Sequence, residues 1–437
     1  MHRYLNPTEL EEVKQYDHVF YFDHKVQRVL PDAGRTNNQG YDTDKGVYRC
    51  YKHDHLAYRY ELLNSLGYGS FGDVMHARDH KTKQDVAIKI LVNGKKRPTS
   101  FAEQEIKILS HLTGRRTGSA GLSNVVTMLD HFMFRNHLCI VFEKMNHGDL
   151  EQLLERDNCV SETQLRQLTT SMLQCVQEVH NKGVIHCDIK PENFLLTSAD
   201  ATAVKIIDFG LSSLASDHKR SYGFGSLFYN APEVNLDAGY GIQIDMWSVG
   251  CIVAELCTGE PLFGGESEAE HIALLPPTLG MPPADLLSEC RRSSLFFCHD
   301  EKTGWAPIDA SHMKPGSRPL STLLAGMASA TLLDFIERCL HWDPAMRMTA
   351  TQALQHAFIV GETAKRPSKH QISIADNSSA VMSSLLDNLS VATPSVATTS
   401  TPMSLLASPV PSEATSMMAN GLRKAMAAHM RFKTTEV

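Results

Sequence analysis

Val184-Ile185-His186-Cys187-Asp188-Ile189-Lys190-Pro191-Glu192-Asn193-Phe194-Leu195-Leu196 is followed, a few residues on, by Val204-Lys205-Ile206-Ile207-Asp208-Phe209-Gly210. Asp188 is a carboxylate that can accept or orient a substrate hydroxyl. Asn193 and Asp208 supply hard oxygen ligands of the kind magnesium takes. Lys190, two positions after Asp188, can neutralise charge on a migrating phosphoryl group. His186 and Phe209 read as packing residues, not as acids, bases or ligands. A carboxylate, two oxygen ligands and a lysine in this order point to phosphoryl transfer, with ATP and magnesium as the expected cofactors.

Upstream, Leu66-Gly67-Tyr68-Gly69-Ser70-Phe71-Gly72-Asp73-Val74 is a glycine-rich turn between two strand-like runs. Glycines let backbone amides approach phosphate oxygens closely. Alone the motif is weak, because three spaced glycines recur by chance and a flexible hairpin would look the same. A dinucleotide-binding reading is poor, since a strand containing Val74 follows the glycines where a helix should begin. In Val86-Ala87-Ile88-Lys89 the alternation buries the apolar residues and aims one lysine into a cleft. A compact cation there suits the α- and β-phosphates. The helix-like run at 101–112 offers Glu103 and Glu105, and Glu105, just before Ile106 and Leu109, is the better partner for Lys89. Each element alone fits an ordinary surface residue; the ordered set with the two downstream motifs is specific. Further on, Ala231-Pro232-Glu233 closes an activation segment, Asp245-Met246-Trp247 opens an apolar helix, and Arg347 is placed to pair with Glu233.

Around these motifs the hydrophobic pattern changes character. The runs at 86–91 and 137–142 alternate like strands and cluster in the first third of the chain. After about Asp149 the pattern is helical, as at 162–180, 244–257 and 331–340. A strand-rich part followed by a helix-rich part predicts an α+β protein of two lobes with a cleft between them. From about Ser373 the composition shifts to Ser, Thr, Ala, Pro and Met, so disorder is expected from Lys365 onward. Within that tail, Arg423, Lys424, Arg431 and Lys433 recur at loosely helical spacing, which fits a partner-binding helix or a frayed end. A net charge of −7 offers no global basic field, so neither nucleic acid nor an anionic membrane is an expected partner. Ten cysteines without CxxC pairs read as reduced thiols in a cytoplasmic or nuclear setting. The start of the chain has no apolar signal core and no apolar run approaches about 18 residues, so the expectation is a protein neither secreted nor membrane-spanning.

From about Tyr58 to Phe358 the chain resembles the eukaryotic protein kinase domain, a bilobal fold with an N-lobe at 58–145 and a C-lobe at 146–358. Residues 1–57 then form an N-terminal extension and 359–437 a mostly disordered tail. The Cys187 variant resembles the dual-specificity tyrosine-regulated kinases, the DYRK family. Asn37-Asn38-Gln39-Gly40-Tyr41-Asp42-Thr43-Asp44-Lys45-Gly46-Val47-Tyr48 is similar to the homology box of its class II members. Further matches are Asp54-His55-Leu56-Ala57-Tyr58-Arg59-Tyr60-Glu61, Phe134-Arg135-Asn136-His137 and His341-Trp342-Asp343-Pro344-Ala345-Met346-Arg347-Met348-Thr349. The resemblance implies that Leu66, Gly67, Gly69, Gly72, Val74, Ala87, Lys89 and Glu105 surround or support the nucleotide. It also implies that Phe142 is the gatekeeper and that Glu143 to Met145 form the hinge that hydrogen-bonds adenine. By the same resemblance the γ-phosphate goes to serine or threonine hydroxyls of protein substrates, with tyrosine autophosphorylation as a family trait. The rival reading, a pseudokinase that binds partners without catalysis, is disfavoured because Lys89, Asp188, Asn193 and Asp208 are all present. The oligomeric state is not legible.

The activation segment departs from the family pattern. Where relatives show Tyr-x-Tyr-Ile-Gln-Ser-Arg-Phe-Tyr-Arg, this chain has Ser221-Tyr222-Gly223-Phe224-Gly225-Ser226-Leu227-Phe228-Tyr229-Asn230. Gly223 replaces the tyrosine normally phosphorylated, and Leu227 and Asn230 replace both arginines. In the family a phosphate of charge about −2 is held by such arginines and orders the loop. Catalytic competence without that phosphotyrosine is therefore expected here, and a preference for proline after the phosphoacceptor is not. The alternative is a one-residue shift in which Tyr222 serves with help from Lys219 or Arg220.

Overall fold

The computed structural model describes residues 4–361 except 27–28, 30–33, 35–36, 70–71, 94–98, 114–122, 218–222 and 309–313. The tail and its basic run, Ser70 and Phe71, and Lys219, Arg220, Ser221 and Tyr222 thus lie outside the described residues.

The chain opens with helix α1 (Pro7–Glu12), whose start is fixed by a reciprocal capping box between Asn6 and Glu9. Strands β1 (His55–Leu56), β2 (Tyr60–Gly69), β3 (Gly72–Asp79) and β4 (Gln84–Leu91) precede helix α2 (Thr99–Thr113). Strands β5 (Met128–Phe134) and β6 (His137–Glu143) complete an antiparallel sheet of order β1-β2-β3-β4-β6-β5. Period-two alternation puts Leu62, Met75, Ala77, Val86, Ile88, Ile90, Cys139 and Val141 into one core cluster.

The extension is built into that core, because Tyr41, Tyr48 and Leu56 are buried in the same cluster. Buried polar contacts also fasten it. Arg135 donates to both Glu12 carboxylate oxygens at 3.0 and 2.9 Å and lies over the Tyr41 ring. His137 bridges Asp42 and the Leu91 carbonyl at 2.8 and 2.7 Å, and Asn93 N–H donates to the Gly46 carbonyl at 2.9 Å. The homology box therefore braces the end of β4, the strand that carries Lys89.

The second lobe is mainly helical. Its first part comprises α3 (Leu150–Asp157), α4 (Glu162–Asn181), β7 (Val184–Ile185), β8 (Phe194–Leu196), β9 (Val204–Ile206) and β10 (Ser213–Leu214). Then come α5 (Pro232–Asn235), α6 (Gln243–Thr258), α7 (Glu268–Leu279), α8 (Ala284–Glu289) and the hairpin β11 (Phe297–Asp300) and β12 (Gly304–Pro307). Short helices α9 (Leu320–Leu323), α10 (Ala330–Cys339), α11 (Ala350–Ala353) and α12 (Ala357–Val360) end the described lobe. Helix α6 is apolar almost all round and is buried from Ile244 to Cys257, as a helix at the centre of a lobe must be. Ser161 and Ser329 cap α4 and α10 through side-chain oxygens, and Gly259 ends α6 in the left-handed conformation.

The lobes meet through the chain beside β9, where Val126 N–H donates to the Ile206 carbonyl at 3.1 Å. Strands β8 and β9 pair with each other, and β7 with β10, which fixes the loops after β7 and β9 side by side.

Candidate active site

Register in the sheet collects one set of residues. Val74 lies opposite Lys89, and Ala87 lies opposite Phe142, so the four share one sheet face. Leu66, half exposed, and Gly67 belong to β2 above them, and Met145 follows β6 half buried. Gly69 pairs with Gly72 across β2 and β3. The backbone demands Gly72, where a Cβ would lie 2.1 Å from the Ile90 carbonyl oxygen, but not Gly67, which has open space around it.

Lys89 Nζ contacts both oxygens of Glu105 at 2.9 Å and Asp208 Oδ1 at 2.8 Å. One ammonium thus ties the sheet, helix α2 and the loop after β9 together. Burial opposes the charge on Lys89, yet Asp208 and Glu105 outweigh it and hold its pKa above the ordinary lysine range. Burial likewise pushes against ionised Asp208, but Lys89 wins and holds that carboxyl at about 2. Glu105 moves upward, chiefly through burial, with Lys89 opposing.

The second cluster sits on the loop after β7. Asp188 Oδ1 accepts from Ser226 Oγ at 2.7 Å, and Lys190 Nζ lies 3.3 Å from Asp188 Oδ2. Asn193 Nδ2 donates to the Asp188 carbonyl at 2.7 Å, and Ile207 N–H donates to the Asn193 carbonyl at 3.0 Å, which sets Asp208 beside Asn193. Beneath the loop, buried Asp245 of α6 accepts from His186 N–H at 2.9 Å, Cys187 N–H at 3.0 Å and His180 Nε2 at 2.8 Å. That carboxylate lets Cys187 hold a left-handed φ of 68°, a strained setting for a non-glycine residue; Asp208 sits at 61°. His186 and Phe209 are packed edge to face at 5.0 Å.

Because the Asn193 amide nitrogen is spent on Asp188, its oxygen remains for a cation, next to the Asp208 carboxylate. Two hard oxygens are donors of the kind a divalent cation such as magnesium would take. Among the described residues no group of three or more His, Cys, Asp or Glu is arranged to hold a metal ion.

At the hinge, Glu143 accepts from Thr127 N–H at 2.8 Å and from Lys205 Nζ at 2.7 Å, so its side chain faces away from the sheet's cleft face and fastens the strand end to β9. Arg347 grips Glu233 with two bonds of 2.6 and 2.8 Å, both side chains buried. Sequence reasoning passed over Ser226 as a partner of Asp188; its one signal was a serine kept within the stretch before Ala231-Pro232-Glu233.

Residues 60–359 match the protein kinase domain family. The chain is 42% identical over 387 residues to dual specificity tyrosine-phosphorylation-regulated kinase 2 of Drosophila melanogaster, covering 87% of this chain and 53% of that protein. It is also 42% identical over 375 residues to the kinase mbk-2 of Caenorhabditis elegans, with 81% and 45% covered. With kinase 3 of the same name from Homo sapiens the identity is 38% over 376 residues, with 82% and 63% covered. The chain thus spans about half the length of the first two curated relatives and 63% of the third.

Proposed function

This chain belongs to the protein kinase family, among the dual-specificity tyrosine-phosphorylation-regulated kinases, and on that premise we propose that it transfers the γ-phosphate of ATP to serine and threonine hydroxyls of proteins. The observation that carries the reading is Lys89 bound at once to Glu105 and to Asp208, 119 positions away in sequence. This contact spans the two lobes and orders all three charges at a single point.

Each side chain then has a role its surroundings allow. Lys89 meets the α- and β-phosphates with a compact ammonium whose charge Asp208 and Glu105 sustain. Asp188, steadied by Ser226, accepts a hydrogen bond from the substrate hydroxyl and aims it at the phosphorus. Lys190, whose charge burial opposes and Asp188 sustains, faces the negative charge that develops on the migrating group. Asn193 and Asp208 would hold magnesium, which neutralises phosphate charge when bound. The four residues whose loss would leave a non-catalytic binding protein are present and joined.

Lys190, two residues after Asp188, favours serine and threonine acceptors over tyrosine in substrates. All ten cysteines are free, which supports a reducing compartment, cytoplasm or nucleus. No helix among the described residues is long and apolar enough to cross a membrane. Phosphoamino-acid analysis of a generic basic protein phosphorylated by the purified chain tests the acceptor. Phosphoserine and phosphothreonine should dominate, and mainly phosphotyrosine would refute the assignment.

A further inference from the structure

Residues 223–230 end the activation segment, and the side chains they contribute to hold it, Ser226, Tyr229 and Asn230, are neutral hydrogen-bond donors. Asn230 Nδ2 donates to the Phe224 carbonyl at 2.8 Å, closing a turn. Within the turn Gly225 has φ +77°, and a Cβ there would lie 2.6 Å from Asn230 Oδ1 and 2.9 Å from the Cys187 carbonyl. Only glycine lets the backbone press this closely on both the Asn230 amide and the loop that carries Asp188. The next residue, Ser226, is the one whose hydroxyl donates to Asp188 at 2.7 Å. The Asn230 amide therefore closes a turn whose far side touches the catalytic carboxylate.

Asn230 is itself fixed by its neighbours. Its carbonyl lies 3.3 Å from His271 Nε2. Tyr229, just before it, is buried, donates its hydroxyl to Glu255 at 2.8 Å and accepts on its carbonyl from Ser248 at 2.7 Å. Phe224, at the other end of the turn, packs against the Tyr240 ring at 5.1 Å.

The charges nearby oppose an anion on this stretch. A Cβ at Gly223 would start 3.9 Å from Glu268 Oε1, and the arginine beside that carboxylate, Arg292, binds Glu268 at 2.6 Å and the Asn235 carbonyl at 2.8 Å. Position 187, whose carbonyl backs the turn, is a cysteine and offers no positive charge. Among the described residues, the charged side chain nearest position 223 is thus the Glu268 carboxylate, with Arg292 already bound to it.

We propose that Asn230 is a positioning residue for Asp188, acting through Gly225 and Ser226, and that the segment reaches its catalytic arrangement without phosphate. The proposal rests on the kinase reading above. It requires that removing the amide donor loosens the turn and misplaces Ser226, while nucleotide binding, which uses other residues, is unaffected.

The test takes the full chain made in bacteria, stripped of phosphate by a broad-specificity phosphatase and checked by intact mass, beside Asn230→Asp. Four quantities are measured: kcat and KM on a generic basic protein, the Kd for magnesium-ATP, and amide hydrogen exchange over 223–230. Stripping should change the parent's kcat by less than about twofold. Asn230→Asp should lower kcat about tenfold or more at unchanged Kd and speed exchange by about tenfold, the worth of one lost hydrogen bond made worse by a carboxylate facing a carbonyl. A tenfold loss of kcat on stripping, or an Asn230→Asp protein with parental exchange, overturns the proposal. A parent that binds magnesium-ATP but transfers nothing before stripping refutes the kinase reading instead, and the exchange contrast still decides the role of Asn230.

Discussion

Two regions that touch the same carboxylate are built on opposite principles. Along the strip from Lys89 to Lys190 the contacts are between full charges: Lys89 with Glu105 and Asp208, and Lys190 with Asp188. Across 223–230 the segment itself contributes only neutral donors: the Asn230 amide to a backbone carbonyl, and the Ser226 and Tyr229 hydroxyls to the Asp188 and Glu255 carboxylates. The reaction moves negative charge, so the strip must present charge where the phosphoryl group passes. The segment has only to hold a shape, and neutral donors suffice for that. The two regions should therefore fail differently, since removing one partner of a buried ionic set strands the others, whereas a lost neutral bond costs only about 1 kcal/mol.

The sharpest contrast comes from the strip. Lys89→Arg and Asp208→Ala should each lower turnover about a thousandfold or more with the fold retained, since each removes a phosphate or cation contact and no core packing. Turnover near the parental rate in a folded Asp208→Ala protein would mean that Asp208 holds no catalytic cation. Next in size is a buried ion pair without a catalytic role. Arg347→Ala should destabilise the protein by about 3–5 kcal/mol in chemical denaturation by leaving Glu233 buried and unpaired. A change below about 1 kcal/mol would mean that water relieves Glu233 and that the pair is not closed.

Ser226→Ala probes the seam between the regions. It deletes a hydrogen bond to a charged group, so kcat should fall about tenfold to a hundredfold while magnesium-ATP affinity holds. An effect confined to nucleotide affinity would mean that Ser226 does not steady Asp188 for transfer. The smallest effect concerns Asp149, whose side chain caps α3 near the hinge and whose carboxyl burial raises from 3.8 to about 6. Folding favours its protonated form, so its contribution is largest below the unfolded value of 3.8 and is lost as pH rises through about 6. Asn caps as well as Asp. Asp149→Asn should therefore be more stable than the parent at pH 7 by about 1 kcal/mol after allowance for partial exposure, with the advantage gone near pH 4. Melting curves of both proteins across that range would expose a constant or inverted difference.

Much of this contrast is legible in the sequence. Lys89, Asp188, Asn193 and Asp208 sit in short strings whose residue types follow from phosphoryl chemistry, the helices at 162–180 and 331–340 follow from local apolar period, and the one at 244–257 from a long, mostly apolar run. What escapes a linear reading depends on partners far apart in the chain. Tyr41 and Tyr48 join the core beneath β2 to β6, although local sequence says nothing of what covers them. The hairpin β11–β12 is short, with three of the four residues in β11 exposed, so it lacks the alternation that marks a half-buried strand. The glycines look alike in the string, yet only the packing of Gly72 against Ile90 separates a required glycine from Gly67. Replacement of both family arginines is visible as an absence at Leu227 and Asn230; that Asn230 supplies its own bond to Phe224 is not.

The central claim is that the charges gathered at Asp188 and Lys89 perform transfer to a protein hydroxyl. Its most direct measurement is the time course of phosphate incorporation into a generic basic protein, from magnesium-ATP, by the purified chain and by Asp188→Asn prepared in parallel. Steady incorporation by the parent is expected, with a loss of about a hundredfold or more in Asp188→Asn and equal binding of magnesium-ATP by both proteins. Equal incorporation by the two proteins, or none by a parent that binds the nucleotide, would contradict the claim.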